Sequence, residues 1–157
     1  MQAQLYDPFK KSIAGVLRQM SGIELRTTEV FHPETEDIES YGVSSIISFS
    51  GKIKGRLLLD IEQSLALEIA KNIVGQEFSS EKEYMVLAAI SELNNIVAGD
   101  AITALNNMHS LSLRLAPPVV FAGKGAAICI PKLNSYSMYC TSEYGKLRLN
   151  AAFERGL

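Results

Sequence analysis

The stretch Val86-Leu87-Ala88-Ala89-Ile90-Ser91-Glu92-Leu93-Asn94-Asn95-Ile96-Val97-Ala98-Gly99 decides the fold. Its apolar residues belong to a longer series: Val86, Ile90, Leu93, Val97, Ala101, Ala104 and Met108 recur at helical spacing and form one stripe at roughly 100° per residue. A helix of this kind buries the stripe against another layer. Glu92, Asn95, Gly99, Thr103 and Asn106 form a second stripe almost opposite, with Ala88 one turn before Glu92. Residues three apart share a helix face, so Glu92 and Asn95 stand together on the side away from the core. Small Ala88 and Gly99 flank them and let a partner surface come close to the backbone. Gly99 within the helix costs up to about 1 kcal/mol relative to Ala, which suits a packing or access requirement. The same pattern also describes an ordinary solvated helix face.

Outward from this helix, the chain reads as two more helices and two groups of strands. Ser80-Glu81-Lys82-Glu83 has the capping-box pattern, with Ser80 as N-cap and the long helix running to about Met108. A first helix is expected over about 8–20, with Asp7 as N-cap, Pro8 in the first position, Ile13, Val16, Leu17 and Met20 as its apolar face, and Gly22 past its end. Residues 23–31 read as a strand, and 32–39 as an acidic, solvated loop. Residues 41–50 alternate, with Val43, Ser45, Ile47 and Phe49 on one side. After a turn at 51–55, the run Leu57-Leu58-Leu59 marks a central strand covered on both faces. A second helix is expected over 63–74, closed by Gly75. Strands follow at 111–115, 119–121, 127–131, 136–142 and 146–153, the last alternating Leu147, Leu149, Ala151 and Phe153 with Arg148, Asn150, Ala152 and Glu154.

Residues 16–25 align weakly with 104–113, each taking a helix end into a strand, and each half carries a Gly-Lys turn, Gly51-Lys52 and Gly145-Lys146. The expected fold class is therefore α+β in layers: a pseudo-repeat of helix-strand-strand units whose antiparallel-rich sheet packs on the long helix, all in one domain over 1–157. On that alignment Glu92 and Asn95 fall opposite Gln4 and Asp7, so the first half has no equivalent pair.

Composition narrows the function. The 157 residues are 47% hydrophobic and 20% charged, as in a folded globular chain. A net charge of −2 with no basic cluster argues against nucleic acid and against an anionic membrane surface. The N-terminus lacks a signal-peptide pattern, and no uninterrupted apolar run approaches the ~20 residues of a membrane span. A cytoplasmic protein without membrane insertion is expected. Two His, with Cys129 and Cys140 far apart, make a zinc cluster improbable; both thiols are expected to be buried. Gly123-Lys124-Gly125 lacks the pattern of a phosphate loop and reads as a hairpin turn. Pro117-Pro118 ends a strand and stiffens the segment beside the helix.

Glu92, Asn95 and then, after 22 residues, Pro118 resemble the motif of the CheC/CheX/FliY family of chemotaxis phosphatases. The family usually has Asp or Ser where this chain has Ala88; Ser91 is nearby on another face. A single Glu/Asn site and the order of elements are closest to a CheX-like member. The resemblance implies hydrolysis of the aspartyl phosphate of a phosphorylated CheY-like response regulator, with Asn95 holding the attacking water and Glu92 pairing with the regulator's lysine. It implies Ala88, Ser91, Gly99 and Thr103 as partner-binding positions, Pro117 and Pro118 as structural ones, no cofactor of its own, Mg²⁺ carried by the regulator, and a homodimer. Strands 136–142 and 146–153 would offer an edge for pairing with a second copy. Asn94, about 100° from Asn95, is expected to serve packing or bond the backbone. Two other readings stand beside this one: a non-catalytic adaptor binding a regulator or a flagellar or signalling complex through the same face, and a small-ligand domain using a cleft between helix and sheet.

Overall fold

A computed structural model describes residues 2–31, 37–131 and 134–154. Three helices, α1 (Gln2–Ser21), α2 (Gln63–Val74) and α3 (Tyr84–His109), cover one face of a sheet. The strands are β1 (Arg26–Phe31), β2 (Ile38–Glu39), β3 (Gly42–Ser50), β4 (Lys54–Glu62), β5 (Arg114–Leu115), β6 (Val119–Ala122), β7 (Ala127–Ile128), β8 (Ser135–Ser142) and β9 (Gly145–Phe153). The main sheet runs β1-β8-β9-β4-β3, with β5 and β6 both pairing β3, and among the described residues its strands pair antiparallel throughout. A separate two-stranded ribbon joins β2 and β7.

The hairpins β3-β4 and β8-β9 meet at the β4-β9 pair in the middle of the sheet. Each half then lends a strand to the other. First-half β1 pairs β8, and second-half β5 and β6 pair β3. This is the expected pseudo-repeat, closed by exchange. It also corrects the expected pairing edge: β8 and β9 are flanked on both sides, and the end strands are β1 and β5/β6.

The core lies between helices and sheet. Val43, Ser45, Ile47 and Phe49 are buried on the inner face, as the alternation predicts. Leu57, Leu58 and Leu59 are all fully buried, because Leu58 packs on the outer face with Ile128 and Ile130 beside the ribbon. Helix α2 keeps its expected limits and ends at Gly75, whose φ of 88° is the left-handed conformation that glycine adopts without strain.

Several boundaries differ from expectation. Helix α1 starts before Asp7, so Asp7 is not its N-cap and Pro8 lies inside it. An interior proline lacks the N–H that would bond back four residues and costs ~3 kcal/mol. Packing overrides that cost: Tyr6 stacks on Tyr136 at 5.0 Å, Phe9 on Phe49 at 5.8 Å, and the Tyr6 hydroxyl donates to the Asn134 carbonyl at 2.6 Å. Helix α3 begins at Tyr84 with Glu83 as N-cap. The capping-box contacts form one turn early instead, Glu83 accepting from the Ser79 and Ser80 N–H groups at 2.8 and 3.1 Å. Late in α3 the buried series runs through Ala101, Ile102 and Leu105, leaving Ala104 half-buried and Met108 exposed.

Residues 111–113 are not a strand. Ser110 and Ser112 take positive φ, and the Asn106 amide brackets Leu113, accepting from its N–H at 2.8 Å and donating to its carbonyl at 3.1 Å. Strand β1 starts at Arg26 instead of 23, and β7 is shorter than 127–131. Cys140 is buried but Cys129 is exposed. Residues 32–36 of the acidic loop lie outside the described residues; its Asp37 is tied down, accepting from the Ile130 N–H at 2.9 Å. By length and composition alone α3 is apolar enough to cross a membrane, and half of its apolar stretch is buried in the fold.

The outer face of β9 is polar but not solvated. Asp60 is fully buried and accepts from Arg148 Nε at 2.7 Å, Ser44 Oγ at 2.8 Å, Ser40 Oγ at 3.0 Å and the Tyr41 N–H at 3.0 Å. Arg148 also donates to the Glu39 carbonyl and lies 3.9 Å from the Tyr41 ring centre. The pair locks the ribbon onto the sheet.

Candidate functional site on helix α3

Helix α3 buries Val86, Ile90, Leu93, Val97 and Leu105 and contacts α1, α2, β3, β5 and β6. With that side fixed, the opposite face is open. Glu92 is exposed and Asn95 half-buried, and neither side chain makes a hydrogen bond among the described residues. They sit ~4.5 Å apart along the helix axis and ~60° apart around it, so both reach one external target. Each is free to make its polar contacts with a second molecule.

The small flanking residues stand as expected. Ala88 is exposed. A Cβ placed on Gly99 would meet only Leu115 Cδ1, at 3.7 Å, an ordinary contact. The chain's own packing therefore does not demand glycine there. Thr103 is exposed and its hydroxyl donates to the Gly99 carbonyl at 2.8 Å, while Ser91 is half-buried on the flank. Pro117 is exposed and Pro118 half-buried in the link between β5 and β6. That link is anchored by the Ala116 N–H donating to the Ser48 carbonyl at 2.8 Å, and follows directly from Leu115 beside Gly99.

Tyr84, Met85 and Ile96 of the same helix are 83%, 43% and 37% exposed, apolar residues outside both sequence stripes. Asn106, placed by periodicity on the functional stripe, is instead the bracket of Leu113. Asn94 is fully buried, and its amide donates to the Ser45 carbonyl at 3.1 Å and the Ser45 hydroxyl at 3.0 Å. Among the described residues no protein group bonds its Oδ1.

Among the described residues no group of three His, Cys, Asp or Glu could hold a metal ion. Clefts of about 370 and 320 Å³ lie where the start of β1 meets the β8-β9 turn, lined by Glu24, Arg26, Asn72 and Glu143 among others and by no residue of α3.

The chain is thus a layered α+β domain with Glu92 and Asn95 side by side on the open face of α3. The family model described as chemotaxis phosphatase CheX matches residues 43–141, and the chain belongs to that family. It is 25% identical over 131 residues to the CheY-P phosphatase CheX of Thermotoga maritima, covering 82% of this chain and 81% of that one. A CheC-like superfamily protein from Shewanella sp. PV-4 superposes with a TM-score of 0.89 at 28% identity, over 98% of this chain and 99% of that one. The CheX of the CheX-CheY-BeF3-Mg²⁺ complex from Borrelia burgdorferi shares the fold, with a TM-score of 0.78 at 23% identity over 95% and 97% of the two chains.

Proposed function

We propose that this protein accelerates hydrolysis of the aspartyl phosphate of a CheY-type response regulator. The observation that carries the reading is the pair Glu92 and Asn95, unpartnered on the open face of α3. In phosphoryl transfer the protein's work is positioning and charge stabilisation. The regulator supplies the phosphorylated aspartate and a Mg²⁺. Asn95 donates and accepts hydrogen bonds, so its amide holds a water in line with the phosphorus. The water oxygen bonds to phosphorus as the bond to the aspartate oxygen breaks, leaving free carboxylate and inorganic phosphate. Glu92 pairs with a lysine of the regulator and fixes its register. Ala88 and Gly99 admit the regulator's backbone, Ser91 and Thr103 border it, and Tyr84, Met85 and Ile96 add apolar contact around the polar pair. Pro117 and Pro118 stiffen the adjoining link. A partner of this kind accords with the cytoplasmic location expected from the sequence.

The test is the decay of a phosphorylated CheY-type regulator after removal of the phosphodonor, alone, with this protein, and with its Asn95→Ala variant. Faster decay with wild type, lost by ~10²-fold or more in Asn95→Ala, is expected. Equal decay in all three would reject the phosphatase reading. One observation favours a second reading: Ala88 contributes no polar group where the family usually has Asp or Ser, which suits an adaptor that binds without hydrolysis. Tight regulator binding with unchanged decay would select it.

We also propose a homodimer, with a β1 or β5/β6 end strand as the pairing edge. Sedimentation at twice 17.2 kDa is expected. A monomer at micromolar concentration would reject it.

A further inference from the structure

We infer that Asn94 is a positioning residue for the Glu92/Asn95 site: its buried amide, gripped by Ser45 of β3, sets the roll of α3 about its own axis. Most of the helix's contacts with the core are made by Val, Ile, Leu and Ala side chains, which are not directional. The Asn94 amide is different. It donates to both the carbonyl and the hydroxyl of Ser45, at 3.1 and 3.0 Å, from a fully buried position one residue before Asn95. On the α1 side, the buried Ser12 hydroxyl donates to the Val97 carbonyl at 2.8 Å, two residues after Asn95. Asn95 thus lies between two polar ties, one to the sheet and one to the neighbouring helix, and Glu92 stands two residues before the first.

The geometry makes roll consequential. A side-chain tip ~6 Å from the helix axis moves about 1 Å for a roll of ~10°. A misplacement of that size in a positioning site can cost ~10²-fold in rate. Among the described residues no protein group bonds Asn94 Oδ1, so the amide contributes less to stability than a fully paired one would. A leucine of similar volume would fill the place without a bond. The structural part of this inference stands on the two ties; only its consequence for rate rests on the phosphatase reading.

The experiment compares the wild-type chain with Asn94→Leu, Asn94→Ala and Ser12→Ala by two readouts. Residual dipolar couplings of the α3 amides, referred to the sheet, report roll directly and need no activity. Phospho-regulator decay, measured against regulator concentration, separates kcat from KM. In folded Asn94 variants, α3 is expected to roll by ~10° or to average over a range of that size, with kcat down ~10-fold or more and KM changed less than ~3-fold. Ser12→Ala is expected to shift both in the same direction by less. A melting temperature equal to wild type alongside the lower kcat separates positioning from loss of fold. If either Asn94 variant fails to fold, the other and Ser12→Ala carry the same couplings. Unchanged α3 couplings in the folded variants would overturn the inference, whatever the decay assay gives. A wild type that does not speed decay overturns the phosphatase reading instead, and the couplings alone then decide on Asn94.

Discussion

Asn94 and Asn95 are neighbours of identical chemistry with opposite fates, separated by the 100° that one residue turns on a helix. Periodicity was sufficient to place Asn95 outward and Asn94 toward the core. It could not name Ser45 as the partner, because that contact joins residues 49 apart in the chain. The same limit explains Asn106, which shares the stripe but is occupied by Leu113 across a loop with two positive-φ serines. Gly99 is a residue whose role can be read from what it lacks. With only Leu115 at 3.7 Å from an added Cβ, Gly99→Ala should stabilise the helix by about 0.5–1 kcal/mol, raising the melting temperature by ~1–4 °C. On the proposed docking face the same methyl should weaken regulator binding. Thermal melts and regulator titration of one variant check both signs. Burial sets another residue-scale outcome: it raises the Cys140 thiol above its ordinary 9.0 and the Tyr6 hydroxyl above 10.0. In that window the unfolded chain has lost protons that the folded one keeps, so stability falls as pH rises from about 9. In denaturant titrations from pH 8 to 11, Cys140→Ala should flatten the first part of that fall and Tyr6→Phe the later part.

At the scale of elements, sequence reading succeeded where one face decides and failed where two faces or a distant partner do. Helix α2 kept its limits because a clean apolar period ends in a glycine suited to the left-handed cap. Helix α1 did not, since the penalty at Pro8 is outweighed by aromatic packing of Tyr6 and Phe9 against Tyr136 and Phe49, on strands far along the chain. Strand β9 shows the two-face case. Its alternation has the form of a half-solvated strand, yet Arg148 and Asn150 are buried, because the β2-β7 ribbon covers the polar side. The sequence holds no local sign of that cover; β2 and β7 are two residues each and lie far apart. The buried pair Asp60–Arg148 is the consequence. Arg148→Ala would strand a fully buried carboxylate, and a loss of about 3–5 kcal/mol in unfolding free energy is expected. The double variant Asp60→Asn, Arg148→Met should recover much of it. Urea denaturation of the three chains measures this, and equal stability of wild type and Arg148→Ala would show that the pair does not hold the ribbon.

For the molecule as a whole, the exchange of strands between the two halves governs what can fold. Each half owns a hairpin, but β1 completes the second half's side of the sheet and β5/β6 complete the first's. The β4-β9 pairing and the contact of α1 with α3 add further surface that neither half has alone. A half cut between α2 and α3 would expose the apolar faces of its helix and hairpin and leave β4 or β9 as an unpaired edge. We propose accordingly that 1–157 folds as one unit despite its internal repeat. Fragments 1–79 and 80–157, made separately, should each lack a cooperative thermal transition and bind a dye that reports exposed apolar surface. Mixed in equal amounts, they should regain the transition, near but below that of the intact chain, because joining the halves removes the entropy of association from folding. Circular dichroism melts of each fragment and of the mixture decide it. A cooperative transition in either fragment alone would mean that a hairpin and its helices bury enough surface by themselves, and that the exchanged strands are additions to two independent units.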